Sequence, residues 1–228
     1  MEYIIICSLI LTGIVLIPVY IKYKQSTYRG ASGNSFIKTV FNKGNYGEFL
    51  IYYKLEKMDG NHKLLTNLYI PKHGGGTTEI DLLMVAETGT YVFESKNYSG
   101  WIYGNENRRN WTQTFPNKKK FSFYNPIWQN NAHINALKSV TGIDREGLYL
   151  SYIIFSERCT LKKITVQSDH IKVIKRDRLI KSVKKQVKNS QKVLSQGEIE
   201  AYANSLGKYA LSDAQTKKAH VVAIKAKR

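Results

Sequence analysis

Cysteine is nearly missing from this chain. The two that occur, Cys7 and Cys159, make no recognisable pair, because Cys7 lies in a hydrophobic N-terminal run. Neither a disulfide framework nor a cysteine zinc site is therefore expected. Acidic residues are also scarce: 17 Asp and Glu stand against 35 Lys and Arg, a formal net charge of +18. Such a balance points to an anionic partner, either nucleic acid or an acidic membrane surface, without specifying which. No repeat period is visible. Gly74-Gly75-Gly76 lacks the lysine and the spacing of a phosphate-binding Walker loop, which removes a nucleotide role for that loop. Global disorder is excluded too, since 43% of the 228 residues are hydrophobic, enough for one substantial domain and an appendage.

Charge of either sign is absent from Tyr3 to Ile21, a run of about the 20 residues a helix needs to cross a hydrocarbon core. Glu2 is the only charge before it, and no small-x-small site ends it, both of which argue against a cleaved signal peptide. Lys22, Lys24 and Arg29 follow at once, so the positive-inside rule places the rest of the chain in the cytoplasm. Residues 1–24 are thus expected as the transmembrane anchor of a single-pass membrane protein. Residues 25–35, with Ser, Thr and Gly, read as a linker.

The stretch from Thr78 to Asn97 is where chemistry concentrates. Two runs of aliphatic, β-branched and aromatic residues flank a Glu87-Thr88-Gly89 turn, the pattern of an antiparallel hairpin. Side chains alternate between faces along a strand. Asp81 then shares a face with Leu83 and Val85, and Glu94 and Lys96 share one with Val92. If both sets point the same way, two hard oxygen ligands and one cation converge at a strand end. That set suits phosphodiester hydrolysis: carboxylates are the ligands Mg²⁺ takes, and an ammonium stabilises charge on the phosphate or orients the attacking water. A Glu-x-Lys triplet alone is a weak pattern in a lysine-rich chain, and a structural role competes with the catalytic one. Asp81, flanked by apolar residues, strengthens the catalytic alternative.

Around this hairpin, Asn45 to about Met58 reads as an amphipathic helix with Glu48 in its first turn, where the helix dipole alone would explain a carboxylate. Lys63 to Ile70 reads as a strand. Gly100 to Gly104 and Trp111 to Thr114 read as a second hairpin around Arg108 and Arg109. Lys118, Lys119 and Lys120, interleaved with Phe121, Phe123 and Tyr124, either track a phosphate backbone or form a solvated loop over buried aromatics. Asn125 and Pro126 mark the start of a helix from Ile127 to Val140, stopped at Gly142, with Gln129 and His133 on one face. Leu148 to Phe155 reads as a strand buried on both faces. Ile171 to Ile174 is a further strand, followed by helices at 178–188, 197–206 and 212–224 and a basic tail. Lys181, Lys184, Lys185 and Lys188 face away from the apolar side of the first of these, a solvated face or a phosphate contact.

In order, GNYGE, TEIDLLMV, GTYVFESKNYSGWIYG, a tryptophan and NPIWQNNAHINAL resemble the nuclease-related domain, known as NERD, of the PD-(D/E)-x-K nuclease superfamily. The likeness covers roughly 41–155. It implies an α/β fold with a restriction-endonuclease-like core, a mixed sheet flanked by helices, here preceded by one N-terminal transmembrane helix. The resulting division is an anchor at 1–24, a linker at 25–35, the nuclease-like domain at 36–175 and a basic helical extension at 176–228. By resemblance Asp81 and Glu94 are metal-binding acids, Lys96 the catalytic lysine, Glu48 the first-helix acid, expected to ligate a second metal or position water, and Gln129 the polar residue of the later helix. The expected function is hydrolysis of nucleic-acid phosphodiesters, DNA before RNA, with Mg²⁺ or Mn²⁺, and with Arg108, Arg109, Lys118, Lys119, Lys120 and Lys185 as nucleic-acid contacts. Two alternatives stand beside it: a non-cutting nucleic-acid-binding module tethered to the membrane, and a membrane-surface scaffold.

Overall fold

The structure is a computed structural model that describes residues 1–72, 75–210 and 222, with the backbone alone for Glu2 and residues 4–13. Four helices open the chain: α1 (Glu2–Gln25), α2 (Tyr28–Ser32), α3 (Phe36–Phe41) and α4 (Lys43–Leu55). Then come β1 (His62–Pro71), β2 (Thr77–Ala86), β3 (Gly89–Lys96), β4 (Gly100–Asn105), β5 (Asn110–Thr114) and β6 (Lys120–Tyr124). The remainder is α5 (Pro126–Thr141), β7 (Tyr149–Phe155), β8 (Cys159–Thr165), β9 (Ile171–Lys175), α6 (Leu179–Asn189) and α7 (Gln196–Gly207).

The strands form two mixed sheets. In the larger, ordered β1-β2-β3-β7-β9, the first three strands are antiparallel and β3, β7 and β9 run parallel. β2 and β3 turn back at Glu87 and Thr88, with Ala86 opposite Gly89. Gly89 has a φ of +133°, and a Cβ there would lie 2.7 Å from the Leu148 carbonyl oxygen, so no other residue suits the point where β7 enters. β7 is buried along its whole length, as expected for a strand with parallel neighbours and helices on both faces. One face carries α4 and α6, packing Phe49, Tyr52, Leu55 and Val183 on Leu82, Met84 and Phe93. The other carries α5 and α7, packing Leu137, Ile199, Tyr202 and Leu206 on Leu83, Val85 and Val92.

The smaller sheet, ordered β6-β5-β4-β8, closes a third core of Ile102, Trp111, Ile153, Phe155 and Ile171 at the end of the larger one. Trp111 stacks on Phe155 with centroids 6.1 Å apart and planes 6° from parallel. Such pairs contribute about 0.5–1.5 kcal/mol beyond their buried area.

The termini depart most from expectation. The expected transmembrane anchor falls largely on residues 4–13, whose side chains lie outside the described residues. Among the described residues no helix is long and apolar enough to cross a membrane. The last turn of α1 instead packs on the domain: Tyr23 is buried, and its hydroxyl donates to the Asn34 carbonyl at 2.6 Å. Residues 25–35 are no loose linker either. Tyr28 is fully buried against Phe49 and Tyr52, and Thr27 donates through its amide and its hydroxyl to Glu56 Oε2 at 3.0 Å. A Ser/Thr/Gly composition marks turns, but the tyrosine rings between those residues decide the packing. α6 and α7 likewise belong to the domain rather than to an extension, since they cover opposite faces of the large sheet. The helix expected at 212–224 lies outside the described residues.

Candidate active site

The β2–β3 ladder runs from Ala86–Gly89 to Leu82–Phe93 and ends there. One residue further, the Asp81 side chain takes over the role of a backbone acceptor, Oδ2 receiving the Ser95 amide at 2.9 Å. The strands therefore part at Asp81, while β3 continues to Lys96 alongside β7. Alternation puts Glu94 and Lys96 on the face that α5 covers.

There they meet two side chains one turn apart on α5. Lys96 Nζ donates to Glu94 Oε1 at 2.5 Å and to Gln129 Oε1 at 2.9 Å. Glu94 Oε2 lies 3.0 Å from His133 Nε2, and His133 Nδ1 lies 2.8 Å from Thr78 Oγ1. Only 2% of Glu94 is exposed, yet both of its oxygens are partnered. α5 is fixed at its start by Asn125, whose Oδ1 accepts the Ile127 amide at 2.9 Å. The Asn125 amide group donates to the carbonyls of Asn105, Glu106 and Arg108. Asn130 fixes its middle, donating to Val92 O at 2.9 Å and Ser151 Oγ at 2.8 Å.

Glu48 arrives from the opposite helix layer. α4 starts at Lys43 with Asn42 as its cap, accepting the amides of Gly44 and Asn45 at 2.9 and 3.0 Å. Glu48 thus falls in the second turn, beyond the reach of the helix-dipole explanation. Gly47 permits the approach: a Cβ there would sit 3.0 Å from Ser95 Oγ and 3.5 Å from the Asn97 side chain.

Burial and mutual repulsion set the charges. Burial raises the Glu48 pKa to about 8, Glu79 and Glu94 add to the rise, and Lys38 opposes it. Asp81 is raised well above the carboxylate range by burial, then by Glu94 and Glu48, against Lys96 and the Ser95 amide. Burial acts on Glu94 in the same sense, but Lys96 and His133 outweigh it and hold the carboxyl below its usual value. Lys96 is the complement: burial pulls it down, while Glu94 and Asp81 outweigh burial and raise it. Glu94 and Lys96 are a settled ion pair; Glu48 and Asp81 are crowded carboxyls short of positive charge.

Asp81 and Glu48 are oxygen donors of the kind a hard divalent cation takes. Asp81 commits one carboxylate oxygen to the Ser95 amide and Glu48 has no hydrogen-bond partner among the described residues. Mg²⁺ is commonly held by one or two carboxylates with water completing the octahedron. Among the described residues no group of three or more His, Cys, Asp or Glu side chains is arranged to hold a metal ion.

Beside Lys96 opens a cleft of about 470 Å³ lined by Lys43, Ser95, Lys96, Tyr98, Gln113 and Arg158. Arg158 is braced on Asn97, donating to its O at 2.9 Å and its Oδ1 at 3.0 Å. A larger cleft of about 720 Å³, near Lys138, Asp144 and His170, is not lined by any of the five expected catalytic residues.

The structure thus gathers Glu48, Asp81, Glu94, Lys96 and Gln129. The expected nucleic-acid contacts do not join them as one surface. Arg108 and Arg109 are exposed in the β4–β5 turn, Lys118 and Lys119 in the β5–β6 turn, and Lys120 opens β6. Lys185 is exposed on α6, on the face of the large sheet opposite α5. The aromatics after Lys120 are not a buried cluster beneath a loop: they lie on a strand, with Phe121 and Tyr124 exposed. His133 was absent from the expected site, although its place one turn beyond Gln129 was legible. Gly47, Glu79 and Arg158 carried no comparable signal, because each acts through a contact distant in sequence.

The model of the family described as nuclease-related domain matches residues 43–156, half of the chain and all five of these positions. An uncharacterized protein of Bacillus anthracis is 41% identical over 127 residues, which cover 55% of this chain and 58% of that protein. The match therefore spans a little over half the length of that relative. No solved structure matches the chain.

Proposed function

The chain belongs to the nuclease-related domain family, and from that premise we propose that it hydrolyses nucleic-acid phosphodiesters, DNA before RNA, with Mg²⁺ or Mn²⁺. The carrying observation is Lys96, half-buried and held between Glu94 and Gln129 at the mouth of the cleft, beside two carboxyls that lack positive charge. Asp81 and Glu94 would hold the metal, Glu94 giving up Lys96 or His133 to do so, and Glu48 would ligate a second metal or position water. Bound there, the metal would supply Lewis-acid activation of water and of the phosphate. Gln129 and Glu94 fix the Lys96 ammonium, which is then placed to hold charge building on a phosphate oxygen or to orient the attacking water. His133, tied to Thr78, orients Glu94. Lys43 and Arg158 flank the cleft where a phosphate backbone would enter.

One observation favours a module that binds without cutting: both Glu94 oxygens are already occupied, by Lys96 and His133. Incubating the purified chain with single- and double-stranded DNA and RNA, with and without divalent metal, separates the two. Metal-dependent cleavage abolished by Asp81→Ala is expected. Salt-dependent binding with no cleavage under any condition gives the case to the binding module.

The same reading retains α1 as a membrane anchor with the domain on the cytoplasmic side. It is supported by the uncharged run from Tyr3 to Ile21 and by the exposure of Ile14, Val15, Ile17 and Ile21 on α1.

A further inference from the structure

The smaller sheet turns one face to its core and leaves the other bare. On β4, Ile102 points inward, whereas Trp101 and Tyr103 point outward and are 36% and 37% exposed. Register carries that face across the sheet. Trp101 and Tyr103 lie opposite Thr114 and Thr112 of β5, which lie opposite Lys120 and Ser122 of β6. Tyr124, 49% exposed, follows Ser122 on the same side. On β8 the register shifts after Leu161, so that Lys163 faces Tyr103 and Lys162 is the additional residue. Lys162 Nζ lies 5.6 Å from the centroid of the Trp101 ring, on the outer side. Helix α5 meets the sheet on its core side through Ile127, and at the end of β6 Trp128 lies edge-on to Tyr124 with centroids 6.3 Å apart; none of the four strands contains an aspartate or a glutamate.

We propose that this face is a platform for unpaired nucleic acid, with bases stacking on Trp101, Tyr103 and Tyr124 and phosphates held by Lys120, Lys162 and Lys163. Isolated exposed aromatics are ordinary; three on one sheet face, interspersed with three lysines and no carboxylate, make a surface matched to an anionic chain of flat rings. In a duplex the bases are stacked on one another and withheld from such a surface, so the platform selects single strands. The cleft opens on the other side of this sheet, where Gln113 shares a face with Trp111. Gln113 lines the cleft and donates to Ser99 O at 2.7 Å, and Trp101 follows Lys96 by five residues, at most roughly 17 Å of extended chain. The proposal rests on nucleic acid being the ligand of this protein, but not on its being cut.

The test uses the full-length chain carrying Lys96→Ala, so that cleavage does not enter, with fluorescent oligo(dT) and a duplex of equal length as probes. Oligo(dT) is expected to bind more tightly than duplex. Trp101→Ala, Tyr103→Ala and Tyr124→Ala should each weaken oligo(dT) binding about tenfold, and the Phe replacements, which keep a ring, should restore it. Replacing Lys120, Lys162 and Lys163 together by Ala should lower the slope of log affinity against log salt by roughly two units. Unchanged oligo(dT) affinity in the folded Ala variants overturns the platform. So does a loss confined to vesicles containing anionic lipid, which would make the face a lipid surface. Unaltered binding in those variants, alongside metal-dependent cleavage by the chain that keeps Lys96, removes the platform alone, whereas ring-dependent binding without cleavage by the unsubstituted chain removes only the nuclease reading.

Discussion

At the scale of single residues, the site partners its three carboxyls unequally. Lys96 and His133 both lie on Glu94, leaving Asp81 and Glu48 to face each other's field. Two consequences are measurable. Lys96 is proposed to act mainly when charge builds on the phosphate, so Lys96→Ala should lower kcat by at least about 10²-fold with little change in nucleic-acid affinity. A matched fall in affinity would show that Lys96 serves ground-state binding instead. The second consequence concerns Glu48 in metal-free protein. Its pKa is raised on folding, to about 8 from an ordinary value near 4.5. Between those values the folded state holds a proton that the unfolded state has released, so stability falls as pH rises through that window. Below it the penalty is absent. Glu48→Gln, which carries no proton to lose, should flatten this slope and raise stability at pH 8 by on the order of 1–3 kcal/mol in chelator, as read from urea melts. Added Mg²⁺ should reverse the order, stabilising the unsubstituted chain more than the Gln variant as pH rises. Parallel pH profiles for both proteins would refute the charge assignment.

At the scale of elements, two helices bring the site together from opposite faces of one sheet, and each does so through a short motif. On α5 the residues Asn125, Gln129, Asn130 and His133 are successively a cap, a lysine acceptor, a staple to β3 and β7, and a carboxylate partner. On α4, Gly47 lets the helix close on Ser95. Glycine in a helix interior ordinarily costs up to about 1 kcal/mol relative to alanine, so its presence requires a compensating contact. Gly47→Ala should therefore be near neutral for stability in the native background, gaining propensity and losing fit. In a Ser95→Ala background, where the crowding atom is gone, it should be more favourable by about 0.5–1 kcal/mol, a coupling that a double-mutant cycle reads directly. Additivity would mean that the two residues do not constrain one another. These examples also show which parts of the fold were legible. The β2–β3 hairpin, the buried β7 and the cap and stop of α5 are written in local signals: alternation, an unbroken apolar run, Asn-Pro before the helix and Gly142 after it. β8 and β6 were not: β8 holds lysine and threonine where a core strand holds apolar residues, and β6 follows a run of lysines that reads as a loop. The same limit applies at the site. Asp81, Glu94 and Lys96 follow from strand alternation, whereas Arg158 at the cleft and Glu79 near Glu48 depend on contacts that no local pattern encodes.

At the scale of the whole molecule, a net charge of +18 is distributed over a domain whose clearest apolar exposure lies at its beginning, on α1. The helix has two unlike ends. Its last turn is part of the core, with Tyr23 against Phe36 and Phe49 and its hydroxyl bonded to Asn34 O, while Ile14, Val15, Ile17 and Ile21 face outward. A helix joined so closely to the domain holds the domain's orientation as well as its position, unlike one attached through a flexible linker. The anchor reading makes a specific prediction from this junction. The full chain should remain in the membrane fraction after alkaline carbonate washing, with its C-terminus reached by protease only from the cytoplasmic side. Removing residues 1–18 should release a folded, soluble domain, because Tyr23 and the turns that follow are retained. Removing residues 1–30 should instead destabilise it by about 2–5 kcal/mol, since deletion of Tyr23 and Tyr28 leaves the rings of Phe36, Phe49 and Tyr52 without their neighbours. Release of the full chain by carbonate would refute the anchor without touching the packing argument; equal stability of the two truncated chains would refute the packing argument without touching the anchor.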